Sequence, residues 1–289
     1  MTQQYTPPVK RVQRGKNHHY QDAQGHRIPG VTTILGNGIP KPALINWAAN
    51  ATAEYAVDHW DQLGDLAVAA RLKTLQGARY ETSDKAKKRG TEVHELGERL
   101  VKGEAVKTIP EELRGHCEAY VRFLDQFHVE PVLVEVVVVS YKYGYAGTLD
   151  LVADLATGPD GASERWLLDL KTNEKGIFGE TALQLAAYRY AEKYLDDNGV
   201  EQDMPRVERT GAILIGSDNA QLIPTESSVP QLKQFWYASQ VAEFAAGSRD
   251  LIGAPIEPRD PDAPFAHIAY KDPRELTEDE LVHIQKRNK

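Results

Sequence analysis

Thiol chemistry is nearly absent from these 289 residues, which contain one cysteine, Cys117. A lone thiol excludes an internal disulfide and any iron–sulfur cluster held by four cysteines of one chain. No apolar run reaches the roughly 20 residues that a membrane span requires. The opening "MTQQYTPPVKRVQRGKNHHY" is basic and polar with no apolar signal region behind it, so export is not expected. A reducing cytoplasm fits these absences. The pattern G-x-x-x-x-G-K-[ST] is missing too, so neither ATP nor a helicase motor is expected. There is no internal repeat and no low-complexity tract. Positive charge is not in excess either. The net charge of −8 argues against a protein that coats nucleic acid non-specifically. It leaves room for a nucleic-acid enzyme with an acidic metal site and local basic patches.

What is present is ordinary globular composition, 41% hydrophobic and 26% charged, in a chain long enough for one large domain or two small ones. Two basic patches stand out, "KRVQRGK" from Lys10 and "KAKKRG" from Lys85, and each reads equally well as a solvated face. "HHYQDAQGHRIPGVTTIL" reads as a strand, a turn at Ala23 to Gly25, and a short β-rich or capping stretch. "ALINWAANATAEYAVDHWDQL" follows as a helix with Pro42 in its first turn. Its Leu44, Trp47, Ala48, Ala51 and Tyr55 recur at helical spacing, as a core stripe would. A second helix is expected from Thr82 or Ser83, with Gly90 marking a close contact or a break. "GHCEAYVRFLDQFHV" is amphipathic. "PVLVEVVVVSYKYGYAGTLDLVADL" has the β-branched density of two strands, turning at Tyr143 to Tyr145. "RWLLDLKTN" is a strand, "TALQLAAYRYAEKYLDD" a helix, "TGAILIG" and "AQLIPTE" strands, and "VPQLKQFWYASQVAEFAAG" a closing helix. The order predicts an α/β fold, a mixed sheet flanked by helices. Residues 1–81 form an N-terminal arm and helical extension, 82–248 the core, and 249–289 an extended tail with one short helix at Glu278 to Arg287.

Two apolar strands carry acids. Strand alternation puts Leu149, Leu151 and Ala153 on one face and Asp150, Val152 and Asp154 on the other. Gly158-Pro159-Asp160-Gly161 suits a type I turn, and a hairpin centred there sets Asp150 directly opposite Asp169. Like charges about 5 Å apart repel by roughly 3 kcal/mol at an effective dielectric of about 20. A raised pKa or a bound cation must offset that, since Lys171 on the same face neutralises only part. Two hard oxygen ligands beside an ammonium suit Mg²⁺ or Mn²⁺. Lys171 would orient an attacking water, or help deprotonate it if its pKa is depressed. Asp154 reads as a solvent-facing residue near the hairpin end.

These residues resemble the PD-(D/E)xK nuclease superfamily, and within it the RecB-like exonuclease branch. "RGTEVHELGE" resembles the helix bearing that branch's metal-binding histidine, here His94. "GYAGTLDLVAD" resembles the strand of the first acid, Asp150, and "LLDLKTN" the D-x-K element, Asp169 and Lys171. "QLAAY" is similar to the family's Q-x-x-x-Y helix, with Gln184 and Tyr188 one turn apart. "IPGVTTIL" and the Trp-bearing helix after it resemble the entry segment of phage-type and mitochondrial genome maintenance exonucleases. Leu149 stands where the superfamily has proline, and the four cysteines of iron–sulfur-bearing members are absent. The resemblance covers residues 85 to 200. It implies a restriction-endonuclease-like fold and a Mg²⁺- or Mn²⁺-dependent exonuclease acting on single-stranded or duplex DNA ends. His94, Asp150, Asp169 and the Leu170 carbonyl would hold one or two ions. Gln184 and Tyr188 would contact DNA or the network of the metal-bound lysine, and Lys87, Lys88 and Arg89 would contact DNA. Glu98, one turn after His94, would orient its ring or face water, and Glu135 would be an extra carboxylate or an edge charge. Gly147 would admit a phosphate or mark a kink. Trp47, Trp60 and Trp236 could stack on bases, although core packing is the better reading. The role would be recombination, repair or phage DNA processing, in a bacterium or an infected host cell, with a recombination or single-strand-binding protein as a further partner. An endonuclease on the same fold, or a non-catalytic DNA-binding protein, remains an alternative.

Overall fold

The computed structural model describes residues 8–15, 17–172 and 176–256. The chain begins with an antiparallel three-stranded sheet, β1 (Val9–Arg14), β2 (Asn17–Asp22) and β3 (Arg27–Ile28). "VTTILGNG", expected to be β-rich or capping, is a helix, α1 (Val31–Gly38). Burial overrides its β-branched propensity, because Val31, Ile34 and Leu35 recur at helical spacing and all enter the core. The next helix is α2 (Pro42–Asp58), with the short α3 (Trp60–Gly64) behind it. The expected core stripe is not there. No residue of α2 is buried, and Leu44 is 55% exposed. Its main neighbour is α4 (Val68–Val101), so no second layer closes over it. That helix is one 34-residue element, starting 14 residues before the expected N-terminus. Gly77, Gly90 and Gly97 all lie inside it without ending it.

Then α5 (Glu111–Gln126) leads into the main sheet of β4 (Glu130–Ser140), β5 (Tyr145–Ala156) and β6 (Ser163–Lys171), an antiparallel meander. The β5–β6 connection is not type I. Asp160 has φ 56°, the left-handed value that a type II turn places third, and Gly161 N–H closes the turn on Gly158 O at 3.1 Å. The next helix, α6 (Glu180–Arg189), stops earlier than expected, and "KYL" is a strand, β7 (Lys193–Leu195), paired to β4. β8 (Glu201–Asp203), β9 (Arg209–Ile215) and β10 (Ala220–Pro224) complete a sheet ordered β10-β9-β6-β5-β4-β7-β8, with β9 parallel to β6. The last helix is α7 (Val229–Gly247). This is the expected mixed α/β architecture.

Strands such as "LLDL" and "AILI" are apolar on both faces and therefore need cover on both sides. One face packs α1, α6 and α7 through Leu35, Leu185, Tyr188 and Phe235 against Val138, Val152 and Leu167. The opposite face packs α4 and α5 through Val93, Leu113, Tyr120 and Phe123 against Leu151, Leu168 and Ile213. The three-stranded sheet anchors separately, Val9 and Tyr20 meeting Val139 and Ala146. Met1–Gly247 is one compact unit, so the N-terminal arm belongs with the sheet, and Ser248–Lys289 is a second. The described part of the latter opens with a 3-10 turn, Ser248–Leu251. The helix expected at Glu278 to Arg287 lies outside the described residues. Among those described, no helix is long and apolar enough to cross a membrane.

Candidate active site

The site begins with a fault in two strands. The β4–β5 ladder pairs Val134 with Leu151 and Val136 with Leu149, but skips Glu135 and Asp150, which the register sets opposite each other. Glu135 has φ 53°, in the left-handed region that non-glycine residues rarely occupy. Side-chain alternation slips by one at that level. Leu149 joins Val152 and Leu167 in one core cluster, while Leu151, Ala153 and Leu155 join the other. The expected shared face of Leu149, Leu151 and Ala153 is therefore broken at Asp150. The β5–β6 register is the expected one. Its last pair is Leu151 with Leu168, so the next step brings Asp150 opposite Asp169. Three acids, Glu135, Asp150 and Asp169, thus stand level across three neighbouring strands.

His94 reaches this row because α4 lies close against the end of β6. Gly90 and Gly97 flank His94 at i−4 and i+3, on one helical face. A Cβ at Gly97 would come within 3.1 Å of Leu170 Cδ2, and one at Gly90 within 3.5 Å of Thr172 Oγ1. Gly97 is therefore the tight approach, while Gly90 is neither a break nor a forced close contact, since a Cβ there would make an ordinary one. The imidazole Nε2 donates to Leu170 O at 2.6 Å, which leaves Nδ1 facing Asp150 Oδ2 at 3.7 Å. The Leu170 carbonyl, expected as an ion ligand, here fixes the ring, in the manner of carbonyls behind ligating histidines. Glu98 does not orient His94, because it is spent on Lys102 Nζ at 2.7 Å.

Asp150 Oδ2 accepts the Leu170 N–H at 2.7 Å. Asp169 is 2% exposed and is held at both oxygens, by Gln184 Nε2 at 2.8 Å and by Lys171 Nζ at 2.5 Å. One turn on, burial raises the Tyr188 hydroxyl well above its ordinary pKa. That tyrosine is 2% exposed, and a Cβ on Gly147 would fall 2.4 Å from its ring. So Gly147 makes room for Tyr188, and Gln184, one turn before it, holds Asp169. These residues, with Arg11, His18 and Glu135, line one cavity of about 580 Å³.

No protein-family model matches this chain, and no curated protein does.

Burial, then the neighbouring Asp150, raises Asp169 to about 6. Burial, then Asp150 and Glu98, raises Glu135 to about 8. Burial works against the Lys171 ammonium, but Asp169 and Asp150 outweigh it, and its pKa rises. In the metal-free site this favours the ammonium, and with it the water-orienting role of Lys171. Ligand atoms of His94, Glu135 and Asp150 lie within 4.8 Å of one another. Two ligands on one ion, with bonds of about 2.0–2.6 Å, stand no more than about 4–5 Å apart, so this set fits a single ion. Glu135, weighed against an edge charge from sequence, is thus as close to the centre as the residues of the motifs. Its positive φ left no trace in the pattern "VLVEVVVVS".

The remaining expected residues lie apart. Lys87 and Lys88 precede the cavity-lining part of α4 and pair with Asp84 and Glu92, at 4.0 and 3.6 Å. Arg89 is likewise outside the cavity lining. Asp154 is not simply solvent-facing. It accepts two hydrogen bonds from Arg165, both 2.7 Å, and that guanidinium lowers its pKa. None of the three tryptophans is core: Trp60 and Trp236 are exposed and Trp47 is half-buried.

Proposed function

We propose that this chain is a Mg²⁺- or Mn²⁺-dependent deoxyribonuclease that hydrolyses phosphodiester bonds from DNA ends. The observation that carries the reading is the level row of Glu135, Asp150 and Asp169, with Lys171 Nζ 2.5 Å from Asp169 and His94 beside Asp150. A row of acids in one cavity favours hard divalent cations, and His94, Glu135 and Asp150 would hold one, with Asp169 adjacent. Such an ion supplies Lewis acidity toward a phosphoryl oxygen and makes water more acidic. The chain's own groups do the rest. Lys171, kept cationic by Asp169, donates to the attacking water or to a non-bridging phosphate oxygen and stabilises developing charge there. Gln184 holds Asp169 so that Lys171 keeps its place.

The substrate is a DNA strand entering the cavity, with a recombination or single-strand-binding protein as a further partner. The role is recombination, repair or phage DNA processing in the cytoplasm of a bacterium or an infected host cell. The test is digestion of 5′- and 3′-end-labelled linear DNA, single- and double-stranded, beside a covalently closed circle. Expected are Mg²⁺-dependent loss of linear DNA, an intact circle, and a Lys171→Ala rate lower by at least about 100-fold. Full activity in Lys171→Ala rejects the assignment, and a cut circle replaces the exonuclease with an endonuclease.

A further inference from the structure

The motifs leave one wall of the cavity unexplained, the one supplied by the β1–β2 hairpin. Register sets Arg11 opposite Tyr20 and Gln13 opposite His18, so Val9, Arg11, His18 and Tyr20 share one face. That face is turned inward. Val9 and Tyr20 are buried, and the Tyr20 hydroxyl hydrogen-bonds Thr148 Oγ1 at 2.8 Å, two residues before Asp150. Arg11 and His18 line the cavity together with Asp150, Asp169 and Lys171. An Arg11 Nη2 hydrogen bond to His18 Nδ1 at 3.3 Å aims the guanidinium. Burial, then Arg11 itself, lowers the His18 pKa, so the imidazole is neutral and accepts that bond.

The cations of this cavity differ in their partners. Lys171 is neutralised by Asp169, whereas Arg11 forms no ion pair among the described residues. An arginine facing an acid-lined cavity with no carboxylate at ion-pair distance, its charge reaching Glu135 only at longer range, is placed for an anion brought in by the ligand. Resting on the nuclease reading, we propose that the β1–β2 hairpin is a phosphate-gripping arm, in which Arg11 binds a backbone phosphate other than the one being cleaved. Grip of this kind positions the strand without reading its sequence.

The test measures binding of a fluorescein-labelled 30-nucleotide single strand and its duplex by anisotropy, in Ca²⁺ to suppress cleavage, over a series of salt concentrations. Arg11→Ala is expected to weaken binding about tenfold, to lower the magnitude of the log–log salt slope by about one, and to do so for every sequence. Arg11→Lys keeps the slope. The melting temperature stays at the wild-type value, because Arg11 is exposed, and the Mn²⁺ affinity is compared at pH 9, where Glu135 is ionised in both proteins and the charge of Arg11 no longer acts through its proton. Unchanged DNA affinity and slope in Arg11→Ala, with the wild type still degrading DNA, overturns the arm and leaves the nuclease standing. A wild type that neither binds nor cleaves DNA overturns both.

Discussion

Binding of a divalent ion at this centre should expel close to one proton at pH 7, and Glu135 should be its source. The perturbation is titration of the metal-free protein with Mn²⁺. With Glu135 raised to about 8 and Asp169 to about 6, neutral solution finds the first mostly protonated and the second mostly ionised. Their proton occupancies are about 0.9 and about 0.1, and an ion that requires ionised carboxylates releases about one proton in all. Near pH 9 the release falls to about 0.1, and between about pH 6 and 8 the apparent affinity rises about tenfold per pH unit. The assay is calorimetry in buffers of different ionisation enthalpy, where the slope of observed heat against buffer enthalpy counts protons. Glu135→Gln should cut the pH 7 count to about 0.1 and flatten the pH dependence between 7 and 8. A wild-type count near zero at pH 7, or a wild-type count in Glu135→Gln, refutes the placing of Glu135 at the ion.

Lys171→Met removes the partner of an acid that is 2% exposed, and one-sided loss of such a pair typically costs about 3–5 kcal/mol in urea denaturation at pH 8. Adding Asp169→Asn should restore most of that stability while activity stays absent. If the single variant is as stable as wild type, the pair is not the buried ion pair described. Both raised carboxylates bind protons more tightly folded than unfolded, so their contribution to stability is greatest below about pH 4 and is lost as pH rises toward about 8. Thermal melts of metal-free protein should show this loss, and saturating Mn²⁺ should reverse it. Gly147→Ala drives a methyl into the Tyr188 ring and should cost about 1–3 kcal/mol, with Tyr188→Leu relieving part of it in the double variant. A neutral Gly147→Ala in denaturation would show that the ring has room to move.

The centre was legible where its geometry is local. The turn at Gly158–Gly161 fixed the pairing of Asp150 with Asp169, although the turn proved to carry a left-handed Asp160. Gln184 and Tyr188 were legible as a same-face pair reaching DNA or the lysine network, but that Gln184 grips Asp169, an acid 15 residues earlier, is decided by tertiary packing. Glu135 was readable only as an ambiguous acid, since its left-handed backbone and the phase slip opposite it leave nothing in a run of valines. The reach of α4 was missed because polar residues interrupt the apolar period, and its length comes from packing on α2 and α5. The early end of α6 was missed for the opposite reason. "EKYLDD" continues a helical pattern, but Lys193 and Tyr194 pair with β4.

The tyrosine near the start of the chain clasps a threonine 128 residues further along, and Pro29 O accepts the Ala146 N–H at 3.1 Å. A ribosome therefore makes the hairpin early and its dock late. Until β6 and Gln184 have emerged, the growing polypeptide holds Arg11 with no acids beneath it and Glu135 with no row to join. The cavity is therefore assembled only after Gln184 has been made.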